Sequence, residues 1–235
     1  MSRIGICGLP NTGKTTLFNA LTGLGAITSP HPFSTTQPNL GVVKVPDPGL
    51  EEVASLEGSA KAVHATLELL DAPALQAGRR PTPVAGLGAQ FLGRLREMDA
   101  LAVVLRAFDD PGVSADESGT DPVVQAQDLA LQLGLADLEI FERRRERLAK
   151  EAAADPSKRG AALAMGEAIE ALERGEALRR QRWGEEARGA FRDLAPLTLK
   201  PVVWVVNLAE NDPSPSTTGV EAAVPPGDPV VALSA

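Results

Sequence analysis

The feature that most constrains this chain is the segment from Gly8 to Thr15, which reads GLPNTGKT. It matches the Walker A pattern, Gly, any four residues and then Gly-Lys-Ser/Thr, which forms a loop between a buried strand and a helix. The glycines let backbone amides point at phosphate oxygens, and the positive end of the following helix attracts the same anion. Lys14 is suited to the terminal phosphates and the Thr15 hydroxyl to Mg²⁺. The segment therefore predicts a nucleotide-binding fold.

The sequence around the loop fits that prediction. Residues 2–7 are short and apolar and predict a buried strand, while residues 15–24 carry apolar side chains at helical spacing. Further apolar strands are predicted at 40–45, 66–70, 100–107, 201–206 and 229–233. Strands that alternate with helical or loop segments predict an α/β fold, here a three-layer P-loop NTPase sandwich with a mostly parallel sheet. Since such a sheet needs helices on both faces and none follows residue 233, we expect the chain to be truncated.

Between residues 121 and 195 the sequence becomes helical and highly charged. Asp121-Pro122 is a typical helix start, and Asp155-Pro156 interrupts the helix that follows. The apolar stripes lie at Leu131, Leu135, Leu138 and Phe141 in the first helix and at Leu163, Ile169 and Leu172 in the second. We expect a coiled-coil hairpin, 121–195, inserted between two parts of a nucleotide domain, 1–120 and 196–235. Its charge run is typical of a solvated face and less often forms a docking surface.

Two further positions have side chains that suit a metal ion. Asp71 ends an apolar strand, where an acid that holds a Mg²⁺-bound water is placed in P-loop proteins. Thr35 and Thr36 lie in a Pro-rich loop, where a switch threonine completes Mg²⁺ coordination. Taken alone, Asp71 has the features of a turn or helix cap and the threonine pair those of surface residues; the upstream loop favours the metal site.

Asn207-Leu208-Ala209-Glu210 follows the predicted strand PVVWVV. An amide and a carboxylate at the carboxyl end of a strand can read a base edge, because ligands of open α/β sheets bind at those ends. The residues assigned to the nucleotide are Asn11, Thr12, Gly13, Lys14, Thr15, Thr16, Asn207, Leu208, Glu210 and Ser234. Thr15, Thr35 and Asp71 are assigned to the metal, and Lys14, Thr35 and Ala74 to catalysis.

With these sites in this order, the chain resembles the YchF-type, Obg-like ATPase branch of the P-loop GTPase superfamily. The supporting stretches include GLPNTGKTTLFNALT (8–22), HPFSTTQPNLGVV (31–43), GLGAQFLGRLREMDA (86–100) and LTLKPVVWVVN (197–207). The resemblance implies an inserted coiled coil and a Ser-Ala-Lys loop that begins at Ser234-Ala235. Family members also carry a C-terminal TGS domain, which we expect to be absent from this chain. It also implies Mg²⁺ as cofactor and ribosomes or translation factors as partners.

The resemblance bears on the base as well. GTPases of this superfamily use Asn-Lys-x-Asp to bind guanine, whereas this branch uses Asn-x-x-Glu and prefers ATP. Asn207 and Glu210 match the second form, and Leu208 stands where GTPases have a lysine. We therefore expect ATP over GTP, with the Asn207 carbonyl facing the adenine amino group. A GTP-preferring GTPase remains an alternative.

The chain departs from the family where Asp-x-Ala-Gly is expected, since it has Asp71-Ala72-Pro73-Ala74. The glycine's amide reaches the γ-phosphate after a backbone flip; Ala74 keeps the amide, but its Cβ restricts the backbone and Pro73 removes a donor. The switch segment 76–85 is also Pro-rich. Slow hydrolysis by a molecular switch is the first interpretation, and a nucleotide-binding adaptor with negligible hydrolysis is the second.

Composition excludes several other classes. The formal net charge of −8 argues against a general or sequence-specific nucleic-acid binder. A single cysteine, Cys7, leaves no disulfide framework, and neither a membrane span nor a signal peptide is evident. We expect a cytoplasmic protein.

Overall fold

A computed structural model describes residues 1–26, 39–72, 87–110, 119–210 and 217–235, and their side chains except at 87–90 and at residue 218. The strands are β1 (Ser2–Gly8), β2 (Asn39–Lys44), β3 (Thr66–Asp71), β4 (Ala100–Ala107), β5 (Val202–Leu208) and β6 (Val230–Leu233). The α-helices are α1 (Lys14–Thr22), α2 (Pro48–Leu56), α3 (Leu87–Arg96), α4 (Pro122–Ala154), α5 (Arg159–Glu173), α6 (Glu185–Arg192) and α7 (Thr218–Ala223). Short 3₁₀ helices cover Pro156–Lys158, Leu178–Arg180 and Leu197–Leu199.

The strands form one sheet in the order β2-β3-β1-β4-β5-β6. All neighbouring pairs are parallel except that β2, at the edge, runs antiparallel to β3. The carboxyl ends of the five parallel strands therefore meet at one edge of the sheet, where open α/β folds bind their ligands.

Apolar side chains of the central strands point alternately to the two faces of the sheet, and both faces are covered by helices. On one face Phe18 of α1 packs with Ile6 and Val104. On the other face Leu95 of α3 and Leu129 of α4 belong to the largest buried cluster. Helices, sheet and helices make three layers, which confirms the predicted fold class.

Helix α4 belongs to both parts of the molecule. It begins as predicted, because the Asp121 side chain accepts a hydrogen bond from Val123 N and Pro122 occupies the first turn. Its first turns pack on the sheet through residues such as Leu129. Farther along, Phe141 packs with α5 and α6, its ring centroid 5.1 Å from that of Phe191. The first turns of α4 therefore belong to the core of the sheet, and its later turns belong to the helical core.

The predicted apolar stripes of the helical segment are partly wrong. Leu131 and Leu163 are exposed, and Leu129 and Leu133 are buried in α4 instead. The predicted Phe141, Ile169 and Leu172 are buried. The buried row contains Asp137, a charged residue that periodicity of apolar side chains does not include. None of the helices in the described ranges is long and apolar enough to cross a membrane.

Two polar junctions fix the helical segment to the sheet domain. Arg96 of α3 donates to Asp137 Oδ1 over 2.7 Å, and the same buried carboxylate accepts from the backbone amides of Leu197 and Thr198. At the second junction, Arg179 Nε donates to Asp228 Oδ1 over 2.8 Å. Buried charges are retained where pairs and hydrogen bonds compensate their lost hydration. Both junctions meet that condition.

Candidate functional site

The predicted nucleotide residues that the structure describes lie at the carboxyl edge of the sheet. The loop from Gly8 to Thr15 follows β1 at the centre, and Asp71 ends the neighbouring β3. On the other side, Asn207 lies near the end of β5 and Ser234 directly follows β6. Segments far apart in sequence thus converge around the phosphate-binding loop.

The backbone of that loop has conformations that glycine supplies. Gly8 has φ of 151° and Gly13 has φ of 90°, both in the left-handed region that side chains disfavour. A Cβ at Gly8 would lie 2.4 Å from Val104 O, and one at Gly13 would lie 2.2 Å from Asn207 Nδ2. Asn11, with φ of 58°, is a residue type that tolerates this region. The two glycines of the motif are therefore required both by torsion and by space.

Lys14 is held over its own loop. Its side chain is buried, and its Nζ donates to the Leu9 carbonyl over 2.5 Å, while Thr12 Oγ1 donates to the same oxygen over 3.2 Å. Burial raises the pKa of the neighbouring Cys7 thiol to about 12, an effect that the Lys14 charge partly offsets. Cys7 is therefore a protonated, unreactive residue of the buried strand, as predicted. The ammonium is the cation placed to meet a phosphate.

The predicted metal ligands Thr15 and Asp71 are in direct contact. Thr15 Oγ1 donates to Asp71 Oδ2 over 2.9 Å, and Asn39 Nδ2 donates to the same oxygen over 3.0 Å. The other oxygen, Asp71 Oδ1, is buried and has no hydrogen-bond partner among the residues that the structure describes. A buried carboxylate oxygen without a partner is costly unless a ligand satisfies it.

This donor set fits Mg²⁺. The ion prefers hard oxygen ligands, keeps several waters, and is commonly held by one or two protein oxygens together with substrate phosphates. The described residues accordingly contain no cluster of three or more His, Cys, Asp or Glu side chains at metal-binding distance. A hydroxyl and a single carboxylate beside a phosphate loop are enough for this chemistry.

Asn207 has a different environment from the one expected. Its side chain is buried; Nδ2 donates to Thr12 O over 3.1 Å, and Oδ1 accepts from Ala235 N over 3.0 Å. The oxygen expected to face adenine thus accepts one hydrogen bond from a backbone amide of this chain and keeps a second acceptor position. Asn207 ties the phosphate loop to the segment after β6 and so positions the loops around a base.

The remaining predicted residues divide into two groups. Thr16, Glu210 and Ser234 are exposed at the site's surface and Leu208 is half-buried. Thr35 and Ala74 lie outside the described residues.

Sequence reasoning missed Asn39 and Gln125. Asn39 contacts Asp71 because β2 runs antiparallel and places the two residues opposite each other, a pairing that apolar runs alone do not reveal. Gln125 of α4 accepts from Arg106 N over 2.8 Å and donates to Arg106 O over 2.9 Å, so it joins α4 to the end of β4. Its only sequence signal was a polar residue on the buried side of a helix start.

Comparison with known proteins gives concordant matches. A family model described as 50S ribosome-binding GTPase matches residues 3–135. The ribosome-binding ATPase YchF of Bacillus subtilis (strain 168) is 36% identical over 211 residues, which cover 88% of this chain and 57% of the relative. YchF of Escherichia coli O157:H7 is 36% identical over 210 residues, covering 89% and 57%.

Among solved structures, the YchF GTPase of Schizosaccharomyces pombe superposes with a TM-score of 0.76 at 27% identity, over 99% of this chain and 65% of that one. This chain therefore spans a little over half the length of the curated relatives it matches.

Proposed function

This chain belongs to the YchF branch of the 50S ribosome-binding GTPase family, and from that membership we propose that it binds and slowly hydrolyses ATP with Mg²⁺. The observation that carries the proposal is the contact between Thr15 and Asp71 beside the phosphate loop, with the second Asp71 oxygen buried and unpartnered within the described ranges. A phosphate loop alone supports nucleotide binding; the loop joined to a metal-ligating pair supports triphosphate chemistry.

The phosphate loop supplies the positive groups for the nucleotide. Lys14 exchanges the Leu9 carbonyl for phosphate oxygens, and the backbone amides that open α1 point at the same anion. Gly13 keeps this backbone close to the ligand because it has no Cβ. Thr15, Asp71 and Thr35 would hold Mg²⁺, which would supply positive charge to the terminal phosphates. In the family pattern, the backbone amide of the residue three positions after the acid reaches the γ-phosphate. In this chain that amide belongs to Ala74.

The base site is proposed to prefer adenine. Asn207 holds the phosphate loop and Ala235 together, so its part is to position the loops. Leu208 offers an apolar surface to the ring, and Glu210 and the backbone near Ser234 remain to read its edge. A carboxylate accepts hydrogen bonds and donates none, so Glu210 can accept from the amino group of either purine. The preference for adenine is supported by the relatives, which are named as ATPases. GTP binding is the alternative at this position.

The partner proposal rests on the relatives, which are named as ribosome-binding ATPases. We propose that residues 1–120 and 196–235 form the nucleotide domain and that 121–195 form an inserted helical segment that contacts the ribosome. The polar junctions at Asp137 and Asp228 join this segment to the nucleotide domain.

The test of the enzymatic proposal is single-turnover hydrolysis of ATP by the wild-type chain and by Lys14→Ala, in Mg²⁺. We expect the wild-type rate to exceed that of the variant by about 100-fold, the effect of removing one group that stabilises developing charge. Equal rates would contradict the proposal.

The second candidate, an adaptor that signals by occupancy without hydrolysis, is favoured by Pro73 and Ala74 in the segment where the family has glycine. Ala74→Gly distinguishes the two. A faster single turnover in that variant indicates an enzyme limited by the backbone flip. Tight binding with hydrolysis no faster than Lys14→Ala in both the wild type and Ala74→Gly indicates an adaptor.

A further inference from the structure

We propose that Asn39 is a positioning residue of the metal site, which orients the Asp71 carboxylate. The inference rests on the proposed function, since it concerns how the same site holds Mg²⁺. It extends that function to a residue outside the phosphate loop and outside the predicted ligands.

The geometry of the carboxylate carries the inference. Asp71 is almost completely buried, and its Oδ2 accepts two hydrogen bonds, one from Thr15 Oγ1 and one from Asn39 Nδ2. Oδ1 is buried and accepts none from the part of the chain that the structure describes. Two donors on one oxygen fix the rotation of the carboxylate and leave the other oxygen free for a ligand.

The two donors differ in what happens when a metal binds. The Thr15 hydroxyl would ligate the cation through its oxygen, so metal binding would change the hydrogen bond from Thr15 Oγ1 to Asp71 Oδ2. An amide N–H₂ of Asn39 has no lone pair to give to a metal and keeps its contact with Oδ2. Asn39 is therefore the residue that holds Asp71 in place in the loaded site.

The position of Asn39 in the fold explains the contact. It is the first residue of β2 and lies directly opposite Asp71 in the antiparallel ladder. The hydrogen bond thus connects the acid of the metal site to the edge strand of the sheet.

The experiment compares nucleotide binding with and without Mg²⁺, using a fluorescent ATP analogue and a Mg²⁺ titration against an EDTA baseline. In Asn39→Ala we expect a rise of about tenfold in the Mg²⁺ concentration that gives half of the full increase in nucleotide affinity. This is the effect of losing a residue that orients a metal ligand. Affinity in EDTA should stay within about twofold of wild type, because the phosphate loop is untouched.

Two further variants separate orientation from packing. Asn39→Leu keeps similar bulk and removes the donor, so it should show the same rise in the Mg²⁺ requirement as Asn39→Ala. Asn19→Ala is the matched control: its carboxamide bonds the backbone of Ala26 and does not contact Asp71. It should leave the Mg²⁺ requirement unchanged.

The outcomes distinguish this inference from the function it rests on. If wild type binds the nucleotide without any Mg²⁺ effect, or does not bind it, the proposed function fails. If wild type responds to Mg²⁺ and both Asn39 variants respond at the same concentration, the positioning role alone is overturned. An equal loss of affinity with and without Mg²⁺, or a loss in Asn39→Ala that Asn39→Leu does not share, also overturns it.

Discussion

Asn207 and Asp71 show how single polar side chains assemble the nucleotide site from separate strands. Asn207 contacts the phosphate loop through its amide nitrogen and the segment after β6 through its oxygen. Asp71 contacts Thr15 on the same loop and Asn39 on β2. Because each side chain is buried, its hydrogen bonds are made in surroundings where an unmade bond is expensive. Small changes at these contacts should therefore affect ligand binding more than their size suggests.

The first prediction at this scale concerns Gly13→Ala. The new Cβ would meet Asn207 Nδ2 at 2.2 Å and would require a side chain at φ of 90°. We expect the strained loop to cost about 1–3 kcal/mol and the fluorescent ATP analogue to bind at least about tenfold more weakly. Equilibrium titration measures the affinity, and urea unfolding measures the stability.

Gly25→Ala is the control for this prediction, because a Cβ at Gly25 meets nothing within 4 Å. It should leave stability within about 0.5 kcal/mol of wild type. Wild-type affinity in Gly13→Ala would show that Gly13 does not set the loop's approach to the ligand.

Among the elements, α4 links the site to the helical segment. Gln125 bonds both backbone polar groups of Arg106 at the end of β4, and Asp137 is held by Arg96 three turns later. Farther along, Phe141 lies in the core formed with α5 and α6. One continuous helix therefore contacts the edge of the sheet that carries the nucleotide site and the core of the inserted segment.

The prediction at this scale concerns the junction between Arg96 and Asp137. Arg96→Met removes the cation from a fully buried carboxylate, which keeps only its hydrogen bonds from Leu197 and Thr198. We expect a loss of about 3 kcal/mol in the free energy of unfolding, measured with urea. Arg143→Met is the control, since Arg143 and Glu139 form an exposed pair on α4, and it should change stability little.

An unchanged urea midpoint in Arg96→Met would mean that the junction does not hold the helical segment. If Arg143→Met lowered the free energy of unfolding as much as Arg96→Met, the effect would belong to α4 as a whole rather than to the buried pair.

The elements also show how far sequence reasoning reaches. The predicted strands occur within two residues of their expected ends, because buried apolar runs and the phosphate-loop motif are strong local signals. Helix α2 was missed: no helix was predicted after the strand at 40–45, yet Asp47 caps one through Leu50 N. The antiparallel direction of β2 and the buried Asp137 were also missed, since both depend on contacts between distant segments. The same dependence explains why the contact of Asn39 with Asp71 and the contact of Ala235 N with the Asn207 oxygen were not predicted.

At the scale of the whole molecule, the nucleotide site and the helical segment belong to one connected structure. The sheet carries the phosphate loop, Asp71 and Asn207 at one edge, and α4 leaves that sheet to build the helical core. We propose that nucleotide and Mg²⁺ change the hydrogen bonds of Thr15 and Lys14. We also propose that α4 connects this site to the helical surface that contacts a ribosomal partner. The relatives are named as ribosome-binding ATPases, and this chain spans a little over half of their length.

The central claim is that this chain binds ATP together with Mg²⁺ at the phosphate loop. A competition titration tests this claim most directly. A fluorescent ATP analogue bound to the wild-type chain in Mg²⁺ is displaced by unlabelled ATP or by unlabelled GTP, with Lys14→Ala as the control for binding at the phosphate loop. The account predicts displacement by ATP at a concentration at least about tenfold lower than by GTP, equal to about 1.4 kcal/mol, and little binding by Lys14→Ala. Tighter competition by GTP, or unchanged binding in Lys14→Ala, would contradict it.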